Sequence, residues 1–235
     1  MSNMYGYNDY NGPLTTNNDG NESVVDYEEE DDDDPLRVGQ WMEGDSLAPP
    51  CGTSVPTIHK LLEFASVSEK DVVYDLGCGD GRVCLEALVH FQAKNCVGVE
   101  VEQDLVERFQ TLVDETLSKI ANDHDKINNN IHAVRADLRE VLNHLVAIAE
   151  SNNEAIDEKF QHLPTPTVLV LYLLPESIRE LESDLLKLIS GLDDFRIICN
   201  TWGLQTVKPS KVLEVTEPNA VASTVFRLYD KTCSR

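Results

Sequence analysis

The stretch Val72–Val83, VVYDLGCGDGRV, decides how the chain is read. Its first half, Val72–Leu76, is an apolar run of strand length, and three glycines follow at Gly77, Gly79 and Gly81. Without a Cβ, Gly77 and Gly79 let the backbone pass close to a bound ligand, where any larger residue collides. The spacing G-x-G-x-G differs from the G-x-G-x-x-G turn that cradles a dinucleotide pyrophosphate. Asp75 before the first glycine and Asp80 inside the turn repel such a group and suit a ligand that carries an ammonium and a sulfonium. A tight strand-to-helix turn with no ligand is the plainer alternative at this point.

Outward from that turn, apolar periodicity alternates between strand and helix. Upstream, Ser54-Val55-Pro56-Thr57 precedes Ile58, Leu61, Leu62 and Ala65, spaced for a short amphipathic helix. Downstream comes a helix carrying Val83, Leu85, Leu88 and Phe91, then a strand at Asn95–Glu100. The next helix places Leu105, Phe109, Leu112, Val113, Leu117 and Ile120 on one face, before a strand at Ile131–Arg135 and a helix at Leu138–Ala149. An acidic loop at Glu150–Glu158 leads to an expected strand at Val168–Leu174. Pro175 opens a helix with Ile178, Leu181, Leu185 and Ile189 inward, and Gly191 marks its expected stop. A fifth strand is expected at Phe195–Asn200, and a last pair at Lys211–Thr216 and Val221–Tyr229. The short Glu217–Ala220 connection forbids a crossover and makes that pair antiparallel. Such alternation implies a mostly parallel sheet covered on both faces, with its ligand crevice at the C-terminal ends of the first strands.

Two of those strand ends carry acids. Glu100 closes the second strand, where an acid meets a pair of ribose hydroxyls in nucleotide-binding α/β folds. Asp137, after the third strand, suits an adenine exocyclic amine, and the Leu138 N–H a ring nitrogen. Asp137 equally suits the N-cap of the helix that follows, and the two roles are compatible.

Composition narrows the classes. The 235 residues hold one sizeable domain, and no apolar run approaches the ~18 residues of a membrane helix. Net charge is −23. Residues 1–40 hold eleven acids and one Arg, including Glu28–Asp34, EEEDDDD, and read as a disordered acidic tail. Residues 41–235 form the expected domain, which is itself strongly acidic. That disfavours a nucleic-acid backbone as the main partner and favours a basic or neutral one. An acidic N-terminus matches neither a secretory signal nor a transit peptide. The six cysteines form no C-x-x-C pair and suit free thiols in a reducing compartment. His59, His90, His124, His132, His144 and His162 show no metal-like spacing, so no metal is expected.

The combination of DLGCGDGR at Asp75–Arg82, GVE ending at Glu100 and ADL at Ala136–Leu138 resembles the signature of the seven-β-strand class I methyltransferases. The resemblance spans about residues 50–230. It implies a Rossmann-like three-layer α-β-α sandwich whose seven-stranded, mostly parallel sheet ends in an antiparallel hairpin. It also implies S-adenosyl-L-methionine (SAM) as cofactor. Asp75 and the turn of Gly77, Cys78 and Gly79 would hold the methionine end, Glu100 the ribose, and Asp137 with Leu138 the adenine. Thr57 is counted among the cofactor contacts.

Val55-Pro56-Thr57 and Leu171-Tyr172-Leu173-Leu174-Pro175 are further similar to one group of protein-lysine methyltransferases. That group acts on the adenine nucleotide translocase and the ATP-synthase c-subunit and has prokaryotic relatives. The acidic tail and the lack of an apolar anchor depart from its mitochondrial members. The expectation is therefore a cytoplasmic enzyme, with the nucleus next in order, acting on a lysine-presenting protein; a small-molecule or RNA acceptor, or a non-catalytic SAM-binding partner, is the alternative. Tyr172 and Pro175 would position the acceptor, and Trp41 and Trp202 are candidate walls of its channel. The N-P-P-Y tetrapeptide of many nucleic-acid and glutamine N-methyltransferases is absent.

Overall fold

The computed structural model describes residues 52–119, 130–216 and 223–233. The acidic tail, Trp41, Cys51, Ile120, His124 and the Glu217–Ala220 turn lie outside the described residues. In chain order the elements are α1 (Val55–Phe64), β1 (Val72–Leu76), α2 (Arg82–Val89), β2 (Asn95–Glu100), α3 (Gln103–Lys119) and β3 (Ile131–Arg135). They continue with α4 (Leu138–Ala149), β4 (Val168–Leu171), α5 (Pro175–Gly191), β5 (Arg196–Asn200), β6 (Lys211–Val215) and β7 (Thr224–Tyr229). Two single 3-10 turns, Asn153–Ala155 and Glu158–Phe160, interrupt the acidic loop before β4.

The seven strands form one sheet in the order β3-β2-β1-β4-β5-β7-β6. β1 to β5 run parallel, while β7 pairs antiparallel with both β5 and β6. The expected fold class is thus the observed one. Strand alternation sorts the sheet residues between two cores. Tyr74, Leu76, Val97 and Leu169 face α4 and α5, packing with Val141, Leu145, Leu181 and Leu185. Val73, Cys96, Val168 and Val170 face the other way, with Ile58 and Leu61 of α1, Leu85 of α2 and Phe109 of α3. The sheet is therefore the middle of three layers.

Helix α1 begins as its sequence dictates. Ser54 is the N-cap, its hydroxyl accepting from the Thr57 N–H, and proline sits in the first turn, where no N–H is needed. VPT is thus the first turn of the helix rather than a lead-in to it.

Two expected boundaries move. β4 stops at Leu171 instead of continuing to Leu174. Leu174 is extended ahead of Pro175, and Leu173 is fully buried outside the sheet, so core burial lengthens the apolar run beyond the strand. Gly191 is the last residue of α5, not the turn beyond it. A Cβ there would lie 2.5 Å from the Ala149 carbonyl oxygen and 2.8 Å from its Cβ, so close packing of α5 on α4 requires this glycine. No helix of the described residues is long and apolar enough to cross a membrane.

Candidate functional site

The chain reverses its direction of travel across the sheet between β1 and β4, and parallel α/β sheets open a crevice at such a point. Register brings the strand ends level. Leu76 pairs with Val99 on one side and Leu171 on the other, Leu171 pairs with Cys199, and Glu100 pairs with Arg135. The glycine turn, Glu100, Asp137, Tyr172 and Asn200 consequently rim one edge of the sheet.

The turn itself is left-handed at all three glycines, with φ of 85° at Gly77, 56° at Gly79 and 77° at Gly81. A side chain at such angles is strained, which is why the residue type repeats. Gly81 is the N-cap of α2, and a Cβ on it would fall 2.1 Å from the Phe109 ring. Two backbone amides, of Gly77 and Cys78, donate to the Val99 carbonyl and tie the turn to β2.

Glu100 completes that tie. Its carboxylate accepts from the Gly79 N–H at 3.0 Å, from Val101 N–H at 2.8 Å and from Glu102 N–H at 3.1 Å. Three backbone donors hold the group at the crevice rim, half-buried, with acceptor capacity left over for a ligand hydroxyl. Glu102 is exposed; its N–H donates to Glu100 and its carbonyl accepts from the Val106 N–H at 3.1 Å.

The two acids of the turn separate. Asp75 is buried on the α1–α2–α3 side of β1, and burial, with Glu100 and Asp80 adding repulsion, pushes its carboxyl up to about 7. Asp80, expected to meet a cationic ligand, already has a cation. Arg82 forks onto it, with Nε at 2.9 and 3.1 Å and a terminal nitrogen at 2.6 Å. Another Arg82 nitrogen donates to the Thr53 carbonyl at 3.4 Å.

Asp137 caps α4, accepting from the Arg139 N–H at 2.8 Å and pairing with its guanidinium at 2.6 Å. The Arg139 bonds hold this carboxyl below its ordinary range despite partial burial. Leu138 opens α4 and is buried.

On the β4–β5 side, the Tyr172 and Trp202 rings stack, 19° from parallel with centroids 6.0 Å apart. Pro175 stands three residues along, at the start of α5. Thr57 is buried in the first turn of α1, its hydroxyl accepting from Ser54 at 2.9 Å. Asn200, unforeseen from sequence, is buried at the end of β5 and donates to the Thr53 hydroxyl at 3.4 Å. Thr53 therefore links the segment before α1 to both α2 and β5, a convergence of residues far apart in the chain with no local sequence signal.

Four of the described cysteines offer no nucleophile. Cys78, Cys84, Cys96 and Cys199 are buried free thiols, and burial raises all four, Cys199 to about 12. His59, Glu86 and His90 come together at the contact of α1 with α2, an assembly that the sequence reading did not expect. The signal available for it was the i, i+4 spacing of Glu86 and His90 on one helix face.

No family model matches the chain. A curated protein-lysine N-methyltransferase from Saccharolobus islandicus (strain REY15A) is 46% identical over 56 residues, 22% of this chain. That match spans about a third of the relative's length, 35%. Among solved structures, an RNA methyltransferase from Salinibacter ruber, in complex with S-adenosyl-L-homocysteine, superposes with a TM-score of 0.55 at 23% identity. The superposition covers 76% of this chain and 92% of that one. The C-terminal domain of precorrin-6Y C5,15-methyltransferase from Rhodobacter capsulatus gives 0.51 at 15% identity, over 83% and 97%. At these identities the likeness is one of fold, the Rossmann-like sandwich.

Proposed function

We propose that this chain is a SAM-dependent methyltransferase whose acceptor is a lysine side chain of a protein. One observation carries the cofactor: a turn of three left-handed glycines lies against Asp75 and the rim carboxylate of Glu100, with Asp137 at the next strand end. Asp75 is buried among other acids and held near neutrality in pKa, so a ligand bearing positive charge relieves that cluster. The residues fit SAM, whose ammonium and sulfonium meet the acidic turn, whose ribose meets Glu100, and whose adenine meets Asp137 and the Leu138 N–H. Thr57, Gly77, Cys78 and Gly79 complete its surroundings. Bound there, SAM supplies an electrophilic methyl group.

The protein's share of the reaction is alignment and exclusion of water, and positioning of this kind contributes ~7–11 kcal/mol to a displacement. Tyr172 and Pro175 flank the segment leaving β4, where an amine can be oriented by backbone carbonyls. Three facts support a lysine-presenting protein. The chain carries a net charge of −23, the curated relative acts as a protein-lysine N-methyltransferase, and the LYLLP segment stands at the crevice. Strong negative charge repels the RNA backbone.

Calorimetric titration with SAM tests the cofactor. We expect the wild type to bind, Glu100→Ala to weaken binding by about 10–100-fold through lost charge-assisted hydrogen bonds, and Gly79→Arg to abolish it. A wild type that binds no SAM overturns the proposal. Incubating a proteome with methyl-labelled SAM, followed by mass spectrometry, tests the acceptor. Label on lysine is the expected result, and label confined to RNA or small molecules overturns the lysine assignment.

A further inference from the structure

Three side chains that the glycine turn does not use converge where α1 meets α2. His59 Nε2 lies 2.5 Å from Glu86 Oε2, and His90 Nε2 lies 3.4 Å from the same oxygen. One ligand atom from each residue falls within 4.8 Å of the other two. The two imidazole rings are neighbours, with centroids 4.9 Å apart and planes tilted by 54°. We propose that His59, Glu86 and His90 form a binding site for a divalent transition-metal ion of the zinc class.

The donor set is two imidazoles and one carboxylate, which suits zinc and its first-row neighbours and not the all-oxygen preference of calcium or magnesium. Zinc bonds of ~2.0–2.1 Å in a tetrahedral arrangement separate the ligand atoms by about 3.3 Å. The His90–Glu86 distance already matches, and the His59–Glu86 distance opens by less than about 1 Å to match. An ordinary ion pair needs one imidazole at the carboxylate. Here two ring nitrogens and a carboxylate oxygen lie within 4.8 Å of one another, close enough for one ion to take all three.

The scaffold is rigid. Glu86 and His90 are four residues apart at the end of α2 and share its face. His59 sits on α1, anchored by the buried Ile58, Leu61 and Leu62 on either side of it. Glu86 is mostly covered, with 18% of its side chain exposed, whereas His90 at 55% leaves an approach for the ion and room for a water as fourth ligand. A strongly negative chain also concentrates cations at its surface.

The consequence reaches the crevice. α1 carries Thr57 in its first turn behind the N-cap Ser54, and Thr53 just before the cap is held by Arg82 of α2 and Asn200 of β5. An ion at His59, Glu86 and His90 adds a second fastening between α1 and α2, one turn further along α1. It locks in place the segment that walls the candidate site. This reading is independent of methyl transfer, since neither its residues nor its test involve SAM.

The test is titration of the full chain with zinc by calorimetry and with cobalt(II) by visible absorption. We expect one ion per chain, a tetrahedral cobalt spectrum, and a Tm rise of roughly 5–10 °C when free zinc is a hundredfold above Kd. His90→Ala removes an exposed ligand without opening the core and should abolish all three signals while circular dichroism stays native. His59→Ala should do the same. His132→Ala, which alters a separate histidine pair with His162, should leave them unchanged. Absence of stoichiometric binding by the wild type overturns the proposal, as does zinc binding of unchanged affinity in His90→Ala and His59→Ala.

Discussion

Asp75 shows how one residue responds to its surroundings. Its neighbours on β1 are apolar, and alternation turns its carboxyl towards the α1–α2–α3 layer, where Cys78, Cys84 and Cys96 are buried. Burial, helped by Glu100 and Asp80, raises its pKa from 3.8 to about 7. A folded-state value above the unfolded one means that folding favours the protonated acid. The full stability is therefore present below the unfolded value and is lost as pH rises towards 7. Asp75→Asn stays neutral throughout. We expect it to match the wild type in urea denaturation at pH 4 and to exceed it at pH 8 by about 2–4 kcal/mol, an order-of-magnitude figure from the shift. A cationic ligand acts in the opposite sense by favouring the ionised acid. SAM binding by the wild type should tighten between pH 6 and pH 8 relative to Asp75→Asn, with a proton released, measurable in buffers of different ionisation enthalpy. Parallel pH profiles for the two proteins would remove Asp75 from the ligand's surroundings. The glycines and acids of this turn were legible in the sequence because their spacing is local. That Arg82 pairs with Asp80 and also reaches the Thr53 carbonyl, 29 positions away, was not, because the path of the segment before α1 is set by tertiary packing.

Elements behave as their ends dictate. α4 begins at Asp137, and the cap and the proposed adenine contact belong to the same carboxylate. Substitution separates them. Asp137→Ala should cost about 1 kcal/mol of stability through the lost cap, whereas Asp137→Ser keeps a capping oxygen and should cost a few tenths. Both should weaken SAM binding, since neither side chain reaches as far as the carboxylate; chemical denaturation and calorimetry on the same pair check this. Equal stability of Asp137→Ala and wild type would show that Arg139 N–H finds another acceptor. The ends were also where sequence reading slipped. Leu173 is apolar and buried, so periodicity could not tell the last residues of β4 from the loop that follows. Gly191 has the residue type of a helix stop but serves the α4–α5 contact, which depends on Ala149, 42 positions earlier.

Across the molecule the dominant property is charge. Asp and Glu outnumber Lys and Arg by 42 to 19. Described ion pairs such as Arg196–Asp71, at 3.0 Å, consume a minority of the acids. Self-repulsion of the remainder destabilises the compact state and is screened by salt. Raising sodium chloride from 10 to 200 mM should therefore raise Tm by about 2–4 °C, equivalent to ~1 kcal/mol, in scanning calorimetry. An unchanged or falling Tm would show that local pairing offsets the net charge.

The sequence by itself determined the parallel α/β sandwich, the antiparallel last pair, the glycine turn and the acids at successive strand ends. All of these follow from local periodicity and from short connections that leave the chain no alternative. Only the tertiary structure decided which distant residues meet: β7 slotted between β5 and β6, Asn200 and Arg82 on Thr53, and His59 beside Glu86 and His90. Those meetings depend on how helices of fixed period lie across a twisted sheet, and that geometry is set by the packing of two cores rather than by any one stretch of chain.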